Sequence, residues 1–323
     1  MQKVLKKKEL NNFIKELMSN YEIIAPVKNG KFEIIKDPSN MELGKITIVP
    51  AKEFFLPEGE TLIEFKGKKV VKTHPENKKR IIFGMRKCDL NAVKIMDSII
   101  KDENYLSRRK NTILMGIFCE HPDEYCFCNS MELEDYYDLF FYPEGDKYYI
   151  SVGSEKGKKL VAKLPEAKKE IIRIIKNFKR VPDKSIEKHY RNKIWESDAN
   201  RCLSCAACTI NCPTCTCFEI YDELSPDLKN GTRKRGAASC QLRSFSTVAG
   251  GKAFRNSRLA RFKQFVYHKI VYYKKRNGRY MCVGCGRCLR ACPPKIDWTD
   301  TINILTGMKN HDAKRNRVSA KKV

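Results

Sequence analysis

Two stretches of this sequence decide its architecture, 202-CLSCAACTINCP-213 and 282-CVGCGRCLRACP-293. Each has four cysteines separated by two, two and three residues, and a proline directly follows the fourth cysteine. In bacterial iron–sulfur proteins with this spacing, three thiolates of a run hold one [4Fe–4S] cluster and the fourth binds the neighbouring cluster. We call these stretches the first run and the second run.

The spacing therefore predicts two [4Fe–4S] clusters that exchange one ligand. The first quartet consists of Cys202, Cys205, Cys208 and Cys292. The second quartet consists of Cys282, Cys285, Cys288 and Cys212. Zinc is the alternative, but zinc sites usually pair Cys-x2-Cys knuckles and have no use for third and fourth cysteines at these offsets. Two identical runs in one chain favour the clusters.

The runs lie about 70 residues apart, and a basic helix is predicted between them over residues 252–276, ending at Asn277-Gly278. Beyond Trp195 the sequence has no clear strand signal. We therefore expect residues 196–323 to form an α-helical ferredoxin-like domain with two clusters, similar to modules in larger oxidoreductases. The basic tail from Lys309 onward is expected to fray.

Residues 1–195 predict an α+β domain. Helical spacing occurs at Val4–Met18 and Asp89–Ile100, and the basic stretch that ends at Pro182 is helix-like and is expected to connect the two domains. The runs with strand character are KFEIIKD, GKITIVP, TLIEFKG, KRIIFGM, NTILMGIF and DKYYISV.

This N-terminal domain contains a third set of cysteines: Cys88, Cys119, Cys126 and Cys128. Its two segments directly follow the strand-like runs KRIIFGM and NTILMGIF. If those strands are neighbours, their carboxyl ends bring the four thiols together, which predicts a third [4Fe–4S] cluster. Buried structural thiols and a zinc site are the alternatives.

Three of the 15 cysteines remain outside these sets: Cys215, Cys217 and Cys240. Cys215 and Cys217 directly follow the first run in CPTCTCF. We expect packing roles for Cys215 and Cys217, although ligation with an unidentified fourth partner stays open, and the role of Cys240 is left unexplained.

The composition narrows the location and the partners of the protein. Lys and Arg number 64 against 38 Asp and Glu, a net charge of +26, which is typical of chains that bind nucleic acid, anionic membranes or acidic proteins. No helicase, nuclease or RNA-module motif accompanies the charge, and no apolar run reaches the roughly 18 residues that a membrane span needs. With many cysteines and no export signal, the sequence predicts a cytoplasmic protein that docks to acidic subunits and binds neither nucleic acid nor membrane.

Six segments together resemble a known family. They are MRKCDLNAVKIMD, CEHPDEYCFCNSM, CLSCAACTINCPTCTCFEIYDE, ASCQLRSFSTVAGGKAFR, RFKQFVYHKIVYYKKRNG and YMCVGCGRCLRACPPKID, in this order. The chain is similar over residues 80–305 to the [4Fe–4S] dicluster subunit of anaerobic sulfite reductase and to the beta (sulfur reductase) subunit of cytoplasmic nickel–iron sulfhydrogenases. CPTCTC and the stretch before the second run look closer to the sulfite reductase branch.

The resemblance implies an electron-transfer subunit without a catalytic site of its own. In this family the clusters pass electrons between a flavin subunit that oxidises NAD(P)H and a catalytic subunit, which carries sirohaem in sulfite reductase and nickel–iron in the hydrogenase. The main expectation is a subunit of an anaerobic sulfite reductase, and the alternative is the sulfhydrogenase. A reductase that works alone through the third cluster and a nucleic-acid-binding iron–sulfur protein are the rival classes.

Overall fold

A computed structural model describes residues 2–75, 78–177 and 179–308. Its internal contacts divide the chain into two units. The first unit comprises the chain up to Leu56, His74–Pro122 and Leu133–Lys176, and the second comprises Pro57–Thr73, Asp123–Glu132 and the chain from Asn177 onward. The domain boundary at residue 195 stays a prediction. The tail from Lys309, for which fraying was expected, lies outside the described residues.

Strands and helices are interspersed along the chain. The strands are β1 (Gln2–Lys6), β2 (Glu22–Pro26), β3 (Phe32–Ile34), β4 (Glu60–Lys66), β5 (Lys69–Lys72), β6 (Arg80–Met85), β7 (Thr112–Ile117), β8 (Leu139–Glu144), β9 (Lys147–Val152), β10 (Phe218–Leu224) and β11 (Asn230–Ala237). The α-helices are α1 (Leu10–Met18), α2 (Lys87–Ile99), α3 (Glu103–Lys110), α4 (Glu155–Leu160), α5 (Ile194–Arg201), α6 (Ala207–Ile210), α7 (Arg258–Tyr267), α8 (Tyr273–Asn277), α9 (Arg287–Arg290) and α10 (Trp298–Leu305). A π-helical turn, His268–Tyr272, joins α7 to α8.

The first unit is built on a seven-stranded sheet in the order β1-β9-β8-β7-β6-β2-β3. The four strands β8, β7, β6 and β2 are parallel, and the outer strands pair antiparallel. All six residues of β7 are buried, as are five of the six in β6, which is typical of central parallel strands covered on both faces. The region is therefore α/β. The α+β prediction is right about the mixture of strands and helices and wrong about the parallel centre.

The second unit contains a four-stranded antiparallel sheet in the order β10-β11-β4-β5. The expectation that strands end at Trp195 is therefore wrong for β10 and β11. All seven residues of β10 are exposed. Neither face of this strand is buried, so its sequence does not need the alternation of apolar and polar residues by which a half-buried strand is recognised. Cross-strand ion pairs stabilise the hairpin instead, and Arg233 Nε lies 2.7 Å from Asp222 Oδ1.

The basic helix predicted between the two runs is confirmed, with a later start. The Ser257 side chain caps α7 by accepting a hydrogen bond from Ala260 N at 3.1 Å, and Gly278 ends α8 in the left-handed conformation. Before Ser257 the chain turns at its paired glycines, where Val248 N donates to Lys252 O at 3.0 Å. The helix therefore begins at Arg258 and not at residue 252.

Three other predicted elements differ from the structure, whereas α2 confirms the helix predicted at Asp89–Ile100. The stretch Val4–Met18 divides into β1, which pairs with β9, and α1. GKITIVP forms no strand. The stretch before Pro182 has no helix in its described residues. The Gln2 side-chain amide pairs with both the N–H and the C=O of Ile171 at 2.8 Å, so neither group is available for a helical hydrogen bond.

Candidate metal centres

The two runs fold into matching loops. In each loop the amide two residues after the first cysteine donates to that cysteine's sulfur. Ser204 N lies 3.4 Å from Cys202 Sγ, and Gly284 N lies 3.3 Å from Cys282 Sγ. Amide hydrogen bonds to sulfur favour a negatively charged thiolate, which is the state that binds iron.

A short helix in each run connects the two quartets. Cys208 lies in α6, which ends two residues before Cys212, and Cys288 lies in α9, which ends two residues before Cys292. The helices α6 and α9 pack against each other. Each helix therefore joins a cysteine predicted for one cluster to a cysteine predicted for the other.

The structure brings together the thiols of the first quartet. Burial and the nearby thiols of Cys202, Cys212, Cys292 and Cys205 raise the pKa of Cys208 to about 12. Burial also raises the pKa of Cys292, with Cys202 and Cys205 contributing. The thiol of Cys292 therefore interacts with the thiols of Cys202, Cys205 and Cys208. That these four cysteines ligate one cluster stays a prediction.

The second quartet is assembled in the same way. Burial, with the thiols of Cys212 and Cys285, raises the pKa of Cys282 to about 12, against the opposing effect of the Gly284 amide. Burial and the thiols of Cys282, Cys212 and Cys285 raise the pKa of Cys288 as well. Cys212 of the first run is therefore a neighbour of the second run.

The donor set of each quartet fits a [4Fe–4S] cluster. In each quartet thiols lie near one another and a loop amide donates to sulfur, which are protein features that hold such clusters and set their potentials. The surroundings differ, because Cys205 of the first quartet is exposed whereas Cys285 of the second is buried. Within the described ranges, no three His, Cys, Asp or Glu side chains meet at a position for a single metal ion.

Segment 123–132, which carries Cys126 and Cys128, lies directly against the second run. Phe127 N donates to Gly284 O at 2.8 Å, and Cys126 Sγ lies 3.6 Å from Cys285 O. A Cβ on Gly284 would come within 2.6 Å of the Cys128 backbone. The two chain segments therefore approach as closely as backbone allows.

Cys88 and Cys119, the other members of the third set, follow neighbouring parallel strands. Both thiols are buried at the carboxyl ends of β6 and β7, which confirms the neighbour relation assumed from the sequence. Arg86 Nη1 donates to Phe118 O at 2.8 Å and ties the two strand ends together. That the third set binds a cluster stays a prediction.

Two of the three remaining cysteines, Cys217 and Cys240, flank the β10–β11 hairpin, whereas Cys215 N donates to Cys212 O at 3.3 Å within the first run's loop. Ala238 N donates to Cys217 O at 3.0 Å and closes this base. A hydrogen bond with the Cys217 thiol, together with burial, raises the pKa of Cys240. Cys217 and Cys240 are therefore in contact, which gives them a packing partner outside the quartets.

Comparisons with known proteins agree with the sequence motifs. Residues 201–296 match a family described as a 4Fe-4S dicluster domain. The subunit beta of sulfhydrogenase 2 from Pyrococcus furiosus is 32% identical over 320 aligned residues, which cover 91% of this chain and 94% of that relative. The chain belongs to the sulfhydrogenase beta-subunit family. The more specific resemblance to the dicluster subunit of sulfite reductase gains no support from these relatives.

This sulfhydrogenase beta-subunit family has a more distant relative among the matches. The subunit beta of F420-dependent formate dehydrogenase from Methanocaldococcus jannaschii is 25% identical over 190 residues, or 50% of this chain and 42% of that protein. No solved structure matches the chain. Of the helices in the described ranges, none is long and apolar enough to cross a membrane.

In this member of the sulfhydrogenase beta-subunit family, sequence reasoning missed Lys269. Its side chain is only 3% exposed, and its Nζ donates to Thr214 Oγ1 at 2.7 Å. Burial lowers the pKa of Lys269, but the thiols of Cys212, Cys215 and Cys282 outweigh burial and raise it. A sequence signal existed, because helical spacing puts Lys269 on the same face as the buried Phe262, Val266 and Tyr273.

Proposed function

We propose that this chain is the iron–sulfur electron-transfer subunit of a sulfhydrogenase-type complex, with one [4Fe–4S] cluster in each quartet. The observation that carries the proposal is the exchange of cysteines between the runs. It is supported by the electrostatic interactions of Cys292 with Cys202, Cys205 and Cys208 of the first run and of Cys212 with Cys282 of the second run, although Cys212 also interacts with Cys208 of its own run. This exchange is what two adjacent clusters need and what separate zinc knuckles lack.

The chain's own residues would position and insulate the clusters. Cysteine thiolates hold the iron, and the amides of Ser204 and Gly284 donate to sulfur. A bound [4Fe–4S] cluster supplies one-electron transfer at a potential that its surroundings set. The helices α6 and α9 would fix the spacing between the two clusters. Within α6 and the residues after it, Cys208 of the first quartet is four residues from Cys212 of the second, and α9 connects Cys288 of the second quartet to Cys292 of the first in the same way. No group transfer is assigned to this chain.

The first quartet is the better candidate for exchange of electrons with another subunit. Cys205 is exposed, and the neighbouring apolar side chains of Leu203 and Ile210 are 63% and 58% exposed. In the second run Val283 is 2% exposed and Cys285 is buried. Apolar side chains exposed beside a redox centre favour docking of a partner there.

The third set extends this proposal to a third [4Fe–4S] cluster, with Cys88, Cys119, Cys126 and Cys128 as ligands. The sequence spacing supports it, as do the buried positions of all four thiols. A relay of three centres would lengthen the route that electrons take through the chain.

For the partners, we propose a flavin subunit that oxidises NAD(P)H on one side and a nickel–iron catalytic subunit on the other, in the cytoplasm. The similarity to a sulfhydrogenase subunit beta over 91% of the chain supports the nickel–iron partner over the sirohaem partner of a sulfite reductase. Affinity purification of the tagged chain from its anaerobically grown host tests this. Nickel in the complex is expected, and sirohaem without nickel would contradict the choice.

Counting iron and acid-labile sulfide in the anaerobically purified chain, with EPR after reduction, tests the cluster assignment. Two clusters require about 8 iron atoms per chain, and three require about 12. Cys292→Ser should remove the same EPR signal as Cys202→Ser, and Cys212→Ser the same signal as Cys282→Ser. If Cys292→Ser instead removes the signal that Cys282→Ser removes, the exchange of ligands is wrong.

A matched activity assay separates the relay from an enzyme that works alone. The isolated chain, supplied with reduced viologen, should not turn over sulfur or sulfite. Turnover that is lost in Cys126→Ser and retained in Cys292→Ser would contradict the relay and support the rival reductase.

A further inference from the structure

We propose that Lys269 sets the reduction potential of the cluster in the second quartet, by holding a permanent positive charge between the two runs. This inference rests on the proposed function, since it requires a cluster at that quartet. It concerns a residue that lies outside both runs and ligates no iron.

The lysine side chain is fixed beside the sulfur of Cys212. Lys269 Nζ donates to Thr214 Oγ1 at 2.7 Å, and the same hydroxyl oxygen lies 3.3 Å from Cys212 Sγ. Lys269 and Thr214 are both buried, at 3% and 1% exposure. The ammonium is therefore held in place by a hydroxyl that itself contacts a ligand sulfur.

The main chain of Lys269 is tied to the other run. Met281 N, directly before Cys282, donates to Lys269 O at 3.0 Å. Lys269 lies in the π-helical turn His268–Tyr272, the one stretch where the helix between the runs departs from α-geometry. Turns of this kind recur at functional sites, because they re-aim a side chain within a helix. Lys269 thus contacts the end of the first run by its side chain and the start of the second by its backbone.

A buried ammonium is costly unless negative charge compensates it. The thiols of Cys212 and Cys282, which belong to the second quartet, are both close to Lys269: Thr214 Oγ1 bridges its ammonium to Cys212 Sγ, and Met281 N, directly before Cys282, donates to its carbonyl. A cluster bound by these cysteines would supply the compensating negative charge. Reduction adds one negative charge to a cluster, and a nearby positive charge favours that state. The lysine should therefore raise the potential of the second cluster, so that an electron reaching it from the first quartet is retained.

The test is an anaerobic redox titration of the full-length chain, monitored by EPR, for wild type, Lys269→Met and Lys269→Arg. The signals are assigned to the quartets with the Cys212→Ser and Cys292→Ser variants. Lys263→Met is the matched control, because it removes a positive charge from the same helix, where Lys263 Nζ lies 4.2 Å from the ring centre of Tyr190.

Lys269→Met should lower the equilibrium constant for reduction of the second cluster at least tenfold, which is a shift of about 59 mV for one electron. Lys269→Arg should stay within about threefold of wild type, and Lys263→Met within about twofold. The first cluster should shift less than the second. Equal midpoints in Lys269→Met and wild type would overturn the proposal.

If Lys269→Met fails to take up iron, Thr214→Val provides the second test. This variant keeps the charge and removes the hydroxyl that holds it beside Cys212, so reduction of the second cluster should become at least threefold less favourable. An unchanged midpoint in an iron-replete Thr214→Val protein would then overturn the proposal. A wild-type chain without iron and sulfide would refute the proposed function instead, so the two failures are distinguishable.

Discussion

The first run lies at the surface of the second unit, whereas the second run, with identical cysteine spacing, is covered by segment 123–132. Leu203 is exposed, and its counterpart Val283 is buried. Ser204 and Gly284 occupy equivalent positions and both have positive φ, 54° and 63°. Serine is tolerated in the first run, but a Cβ at 284 would collide with the Cys128 backbone. The spacing of the cysteines therefore specifies the loop conformation, and the residues between the cysteines determine whether another chain segment can pack against the loop.

Exchanging serine and glycine between positions 204 and 284 should have the largest effect, and this effect is on the free energy of unfolding. Gly284→Ser should lower the free energy of unfolding by about 2 to 4 kcal/mol, because the new Cβ meets backbone at 2.6 Å and the positive φ is strained for serine. The reverse change, Ser204→Gly, loses a hydrogen bond from Arg261 Nη2 at 3.3 Å and should cost less than about 1 kcal/mol. Anaerobic denaturant unfolding measures both. Equal costs would mean that segment 123–132 does not constrain the second run.

The second largest difference expected between the two runs is in how readily a chelator and an oxidant reach the cluster at each quartet. On exposure to a chelator and an oxidant, the EPR signal of the first quartet should decay on the order of ten times faster than that of the second, because only the first has an exposed cysteine. The decay of each signal is followed in wild type, with the assignments taken from the serine variants. If the EPR signal of the second quartet decays before that of the first, the proposed order of exposure is wrong.

Leu203 should matter for assembly and not for folding. Leu203→Glu should weaken binding between the chain and its partner subunits about tenfold, since it puts a charge into an apolar contact, while stability changes by less than about 0.5 kcal/mol. Dilution of the purified complex, followed by analytical ultracentrifugation, measures the dissociation constant. Leu228→Glu is the control, at an exposed leucine between β10 and β11. An equal effect of both variants would indicate a general response to added charge.

Substitution of Cys217 or Cys240, which belong to none of the three cysteine sets, should have the smallest effect on iron content and stability. Cys217→Ser and Cys240→Ser should leave the iron content unchanged and cost about 1 kcal/mol or less, because these thiols contact each other at the base of the hairpin. Cys208→Ser, by contrast, should lose about four iron atoms. Iron lost from either of the first two variants would place them among the ligands.

The sequence predicts the features that rest on local chemistry. The two runs, the helix that ends at Gly278, and the strands β6 and β7 beside Cys88 and Cys119 follow from spacing, capping and apolar runs. The exposed strand β10 could not be found, because cross-strand ion pairs and not burial hold it. The absence of a helix at Ile171 goes with hydrogen bonds to Gln2, far away in sequence, which no local pattern records. Lys269 was missed although helical spacing places it on the same face as the buried Phe262 and Val266; its contact with Thr214 beside the first run depends on the tertiary structure.

The exchange of cysteines between the runs also has a consequence for synthesis of the protein on the ribosome. Cys202, Cys205 and Cys208 leave the ribosome 84 to 90 residues ahead of Cys292, the fourth member of their proposed quartet. At about 5 to 20 residues per second, this interval lasts about 4 to 18 seconds. During that time three thiols are exposed without their proposed fourth partner, so under the proposed assignment neither cluster can be completed on the nascent chain until the second run has been synthesised. Maturation of the two proposed clusters would therefore be a single event, and delivery of iron and sulfide would have to await the second run.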